Sequence, residues 1–85
     1  MAIKDAILDG LKPALVMQIG NDISSGRIKQ PIDFEVISES VWKRLRVTPM
    51  TSGAILTFRI NKEDIDALLR SVFKELKVEV INEGN

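Results

Sequence analysis

Residues 38–48 read SESVWKRLRVT, and the fold turns on whether they form a helix or a strand. As a helix, Ser38 caps it, and Val41, Trp42 and Leu45 face inward for about two turns. As a strand, Val41, Leu45 and Val47 share one face with Lys43, while Trp42, Arg44 and Arg46 share the other. The neighbouring sequence favours a strand over about residues 42–48. Upstream, in PIDFEVIS (31–38), Ile32, Phe34 and Val36 alternate with Asp33 and Glu35, the pattern of a half-buried strand. Downstream, TPMTSG reads as a proline-and-glycine loop, and AILTFRI then sets Ala54, Leu56, Phe58 and Ile60 on one face.

Helical periodicity flanks this central region on both sides. In residues 2–20, Ile3, Ala6, Ile7, Leu11, Ala14 and Leu15 recur at helical spacing. Pro13 removes a backbone hydrogen bond at a cost of about 3 kcal/mol. A bend near residues 9–12, or two short helices meeting there, is therefore expected. Gly20 and Asn21 mark its end, and residues 20–31 read as a connecting loop. The second helix is written more fully. Asn61 is a good N-cap, and Asp64 can reach back to it. Ile65, Leu68, Leu69, Val72, Phe73 and Leu76 then follow on one stripe. Glu63 and Asp64 open this helix and Lys74 and Lys77 close it, complementing its dipole. KVEVI (77–81) reads as a short closing strand, and residues 82–85 as a frayed tail.

The expected fold is one α+β domain over residues 1–85, in the order α-β-β-β-α-β. Its helices would pack on one face of a mostly antiparallel sheet. The first five of these elements resemble the double-stranded-RNA-binding domain in order alone. Where that family has a lysine-rich start to its second helix, this chain reads NKEDIDALL, whose acids repel phosphate. The resemblance therefore carries no function over.

Composition narrows the chemistry. The 85 residues include no Cys, His or Tyr. This excludes disulfides, thiolate zinc sites and the commonest general base. Asp33 with Glu35, and Asp64 with Asp66, read as solvated strand and helix-end charges rather than catalytic pairs. The serines of DISSG and MTSGA lack both a nucleophile elbow and an activating histidine. No glycine-rich phosphate loop is present. The expectation is a non-enzyme with no cofactor and no metal site. The hydrophobic share of 45% is too high for a disordered chain. Yet a chain this short hides only about 60–65% of its unfolded surface, which favours self-association as an added source of stability.

Net charge is zero, but its distribution is uneven. Residues 26–62 carry seven cations against three anions, and residues 63–85 carry three cations against six anions. The expected function is a small accessory or protein-interaction module that self-associates and docks an unknown protein partner through Trp42, Arg44 and Arg46. Tryptophan and arginine are the residues most enriched at interface hot spots. The alternative is a nucleic-acid-binding module that adds Arg27, Lys29, Lys43 and Arg59 as phosphate contacts. The longest apolar run is too short to span a membrane, and Asp5, Asp9, Lys12 and Pro13 interrupt any signal-peptide core, so a cytoplasmic location is expected.

Overall fold

The computed structural model describes residues 3–83 and is 75% helical. Helix α1 spans Ile3–Ser24, strand β1 Ile32–Asp33, α2 Phe34–Val47, α3 Pro49–Phe58, α4 Lys62–Leu76 and strand β2 Val80–Ile81. The two short strands pair in parallel, with Ile32 opposite Val80 and Asp33 opposite Ile81. The expected α+β fold with a mostly antiparallel sheet is thereby overturned, and with it the order shared with the double-stranded-RNA-binding domain. Three expected strands, at residues 32–38, 42–48 and 54–60, are largely helical. The closing strand shrinks to Val80–Ile81 and pairs in parallel.

Asp33 is where the first of these readings fails. Its Oδ1 accepts the backbone N–H groups of Glu35 at 3.1 Å and Val36 at 3.3 Å. Those are orphan donors of a helix start, so the carboxylate that looked like the polar face of a strand is an N-cap. From there the period is helical. Phe34, Ser38 and Val41 are buried and Leu45 half-buried, at spacings of four, three and four. Val36, which a strand would have turned inward with Phe34, is 60% exposed. Ser38 is fully buried and donates its hydroxyl to Asp66 Oδ1 on α4, which meets the hydrogen-bonding need of a polar group in the core.

A one-residue turn follows. Thr48 closes α2, its N–H and hydroxyl both donating to the Arg44 carbonyl, and Pro49 opens α3 at the position where a missing N–H costs least. Arg59 ends α3 in the left-handed conformation, φ 54°, with its N–H on the Ile55 carbonyl. Ile60 then drops into the core, so of the residues the expected AILTFRI strand turned inward only the last is buried, Ala54 and Phe58 are half-buried, and Leu56 is exposed.

Helix α1 runs unbroken through Pro13 to Ser24, past the expected end at Gly20 and Asn21, so no break separates two helices. The former loop reading holds only for residues 25–31. Helices α1 and α4 pack together, with Leu15 and Ile19 of one and Ile65, Leu68, Leu69, Val72 and Phe73 of the other buried. Phe34 meets Phe73 edge to face, ring centroids 5.9 Å apart, and the Arg70 guanidinium lies 5.2 Å over Phe34. The strap 30–33 is held to 79–82 by Ile32 N–H on the Glu79 carbonyl and Glu79 N–H on Gln30 Oε1. Asn82 also donates to Asp33 Oδ2. The remainder of the expected frayed tail, residues 84–85, lies outside the described residues, as does Ala2 at the start of the first expected helix.

The capping box read from Asn61 and Asp64 is present on both sides: Asn61 Oδ1 accepts Asp64 N–H, and Asp64 Oδ2 accepts Asn61 N–H. The Asn61 N–H, followed by the Lys4 ammonium 3.1 Å away, holds the Asp64 carboxyl below the usual aspartate range. A depressed folded-state pKa contributes stability above the unfolded value of about 3.9 and loses it as pH falls through the folded value. Asp64→Asn should therefore be less stable than wild type at pH 7, by about 1 kcal/mol or less. The gap should close below about pH 4, as read from urea midpoints across pH. A constant gap down to pH 2 would show that the ionised carboxylate is not what stabilises the helix start.

Candidate docking groove between α2 and α3

Helix α3, PMTSGAILTF, carries no charge and buries none of its side chains. Leu56 is 82% and Met50 88% exposed. A ten-residue uncharged helix that faces solvent this fully is the least compensated surface of the fold. On one side, against the end of α2, Ser52, Ile55 and Leu56 form with Arg46 a groove of about 280 Å³. On the other side, toward α1, an apolar cleft of about 190 Å³ is walled by Ile7, Leu11, Leu45, Met50, Ala54 and Ile55 over Ile60 and Ile65. Thr51, the polar residue of that cleft, spends its hydroxyl on the Leu45 carbonyl.

The sequence-derived patch is partly assembled here. Trp42 is half-buried and packs against the core, and the Arg46 guanidinium lies 5.9 Å over its ring. The pair sits four residues apart on one helix face; a strand would also put them on one face, but about 13 Å apart, so the contact itself comes from the helix. Arg44 does not join them. Two residues along a helix is about 200° of rotation, so Arg44 points to the other flank of α2. The expected trio was a strand face, and helix formation divides it.

The wider basic set divides too. Arg27 and Lys29 lie in the loop that precedes β1, whereas Lys43, Arg44 and Arg46 lie about 14–18 Å along the α2 axis from its first residue. Arg27 is paired with Asp22 at 3.5 Å. Lys62 belongs to a different cluster, with Glu35, Glu39 and Asp66 within 3.4–3.9 Å. Among the described residues, Lys43, Arg44, Arg46 and Arg59 make no ion pair. These four unpaired cations lie on or beside the last turns of α2 and α3.

The sequence reading missed Ser52, Ile55 and Leu56. The signal was available as a run of ten residues without a charge, which an exposed helix rarely shows; assigning alternate members of the run to a buried sheet face explained it away. The acidic segment Glu75–Glu83 is partly engaged within the chain. Glu75 pairs with Lys12 at 3.3 Å, and the Glu83 carbonyl accepts from Arg70.

Among the described residues no cluster of three or more acidic side chains is placed to hold a metal ion, and no helix is long and apolar enough to cross a membrane. Comparison of the chain with protein-family models, with curated proteins and with solved structures finds no match.

The half-burial of Trp42 separates its packing role from the role of Arg46. Trp42→Ala should lower stability by roughly 1–2 kcal/mol, less than the 3–5 kcal/mol typical of a fully buried ring. Arg46→Ala should stay within about 0.5 kcal/mol of wild type while shifting Trp42 fluorescence. Chemical denaturation of the two variants, followed by circular dichroism, reads both; equal losses would mean that the stacked pair acts as a single structural unit.

Proposed function

We propose that this chain is a non-catalytic, self-associating interaction protein that docks a partner protein in the groove between α2 and α3. The partner segment would carry a bulky apolar residue beside one or two carboxylates. The observation supporting this most strongly is the combination at the groove: exposed Leu56 and half-buried Ile55 next to Arg46, which makes no ion pair among the described residues. An apolar anchor supplies affinity through area removed from water, and a cation at the rim sets orientation and selects against basic partners. Lys43 and Arg59 add to the same positive field, and Arg44 contributes from the opposite flank of α2.

The nucleic-acid reading draws on the same cations with less geometric support. Its phosphate contacts are spread to both ends of α2, and its one tryptophan is half-buried under Arg46 rather than offered as a stacking platform. An uncharged α3 offers phosphate no cationic side chain.

Selection from a displayed random-peptide library tests the docking reading. Peptides enriched on the wild type should pair an acidic residue with Leu, Phe or Trp, and should lose at least about tenfold in affinity against Arg46→Glu or Leu56→Asp. Enrichment of basic peptides, or affinities unchanged by both substitutions, would overturn the proposal. Filter retention of DNA or RNA at low salt that falls steeply with added salt would favour the nucleic-acid reading instead.

A further inference from the structure

Helix α1 has two apolar sides and only one of them is used. Leu15 and Ile19 are buried on the side toward α4. The opposite side presents Ile3, Ala6, Gly10, Ala14 and Met17 to solvent, with Ile3 64% and Met17 68% exposed. It carries no charge: Lys4, Asp5, Asp9 and Lys12 all lie at least about 100° away around the helix. A helix with a single buried face normally turns a polar face to water. This one does not.

Gly10 sharpens the question. It sits mid-helix, where glycine costs stability relative to alanine, and a Cβ built there meets nothing within 4 Å. Packing inside the chain gives no reason for it. Close approach of a second helix does.

The face is also self-complementary. Positions 3 and 17, 6 and 14, and 10 with itself are mirror-related in number about Gly10. We propose that the exposed side of α1 is a self-association surface, on which a second copy packs its own α1 antiparallel about a two-fold axis at Gly10. Ile3 then meets Met17 of the other copy, Ala6 meets Ala14, and the two Gly10 backbones approach. In a two-fold contact residue i touches j and j touches i, which this spacing satisfies at every pair.

Charge selects this surface over the α2–α3 groove. Two copies docked face to face through the groove would bring Arg46 and its neighbouring cations together, whereas the α1 face has no like charges to oppose within it. Area points the same way. The stripe is about 21 Å long, and alone falls short of the roughly 800 Å² per partner of a standard interface. The apolar cleft beside it, with Ile7 and Leu11 on the α1 wall and exposed Met50 at its rim, continues the surface to α3. The inference rests on the self-association part of the proposed function and is independent of groove docking.

Sedimentation equilibrium on three forms of the full chain tests it, with circular dichroism as the folding control. Wild type should be a dimer at about 100 µM, and Ala14→Glu should weaken it at least about tenfold with its helical signal intact. Adding Ala6→Lys to Ala14→Glu should restore the dimer, since antiparallel packing sets each new lysine against a new glutamate. Parallel packing would set like against like, so failure of the double variant to recover overturns the arrangement. A wild-type dimer that Ala14→Glu leaves unchanged overturns the α1 interface while self-association stands. A monomeric wild type overturns both. Peptide binding in the groove should be unaffected in all three forms.

Discussion

Phe34 fixes the phase of everything between Ile32 and Val47. Its ring is fully buried, edge to face with Phe73 and covered by the Arg70 guanidinium. Once that position points inward, the next core position on the same segment depends on the backbone period. A strand would next bury Val36; a helix next buries Ser38 and Val41. The Asp33 carboxylate decides for the helix by satisfying two amides that a strand would have paired with a neighbour. Burying Ser38 then needs an acceptor, and Asp66 on α4 supplies it. The link between the second and fourth helices thus follows from the rotamer and phase of one aromatic residue.

Legibility in the sequence followed how consistently each segment signalled one structure. In α4 the cap, the apolar stripe and the charge gradient agree, and the expected N-cap and capping box are found with five of the six stripe residues buried and Leu76 half-buried. In α1 the helical period was legible but the expected stripe was not a single buried face: Leu15 is buried and Ile7 and Leu11 are half-buried, whereas Ile3, Ala6 and Ala14 face solvent, and Pro13 suggested a break. The helix ladder absorbs that residue, and its missing N–H costs one bond out of many. In α2 two signals misled. Ser38 occupies a core position, which interrupts the helical period just where it would have been recognised, and Asp33 is a residue type that suits both a strand edge and a cap. In α3 the fault was different: residues with strand-like alternation sit on a helix that buries none of them, so alternation carried no information about burial. Of the candidate site, the placement of Trp42 and Arg46 on one face was recoverable because a spacing of four does this under either assignment, although only the helix brings them into contact. Arg44 was not, since a spacing of two separates them only in a helix.

The two exposed surfaces differ in electrostatics, and under the proposals above that difference would suit them to different partners. An uncharged, self-complementary face such as that of α1 gains from meeting its own copy and gains little selectivity from a charged one. A groove bordered by unpaired arginine is the reverse: it repels its own copy and draws a carboxylate. Were both surfaces cationic, a chain of this size would lose the extra burial that a second subunit offers a marginal core. Were both neutral, nothing would prevent the groove from competing for the same self-contact and producing open-ended assembly. Keeping unpaired cations at the C-terminal ends of α2 and α3, and charge off the exposed Ile3–Met17 side of α1, would allow one closed contact and one contact free for a different protein.

Helix α3 is also where structure and dynamics meet. Ordering its ten residues costs on the order of 10–20 kcal/mol of backbone entropy, set against intrahelical bonds and half-buried contacts alone. Elements with few buried apolar contacts open at a lower free energy than the core they lean on. Helices α1 and α4, joined through Leu15, Ile19, Leu69 and Phe73, keep their packing when α3 opens, because none of those buried side chains belongs to α3. A partner seated against Ile55 and Leu56 would bury area that α3 cannot bury by itself, and so would stabilise the closed arrangement in proportion to its occupancy. The groove and the exposure of Met50 and Leu56 therefore have one origin: an uncharged helix that reaches the core only through half-buried side chains such as Ile55 and Phe58.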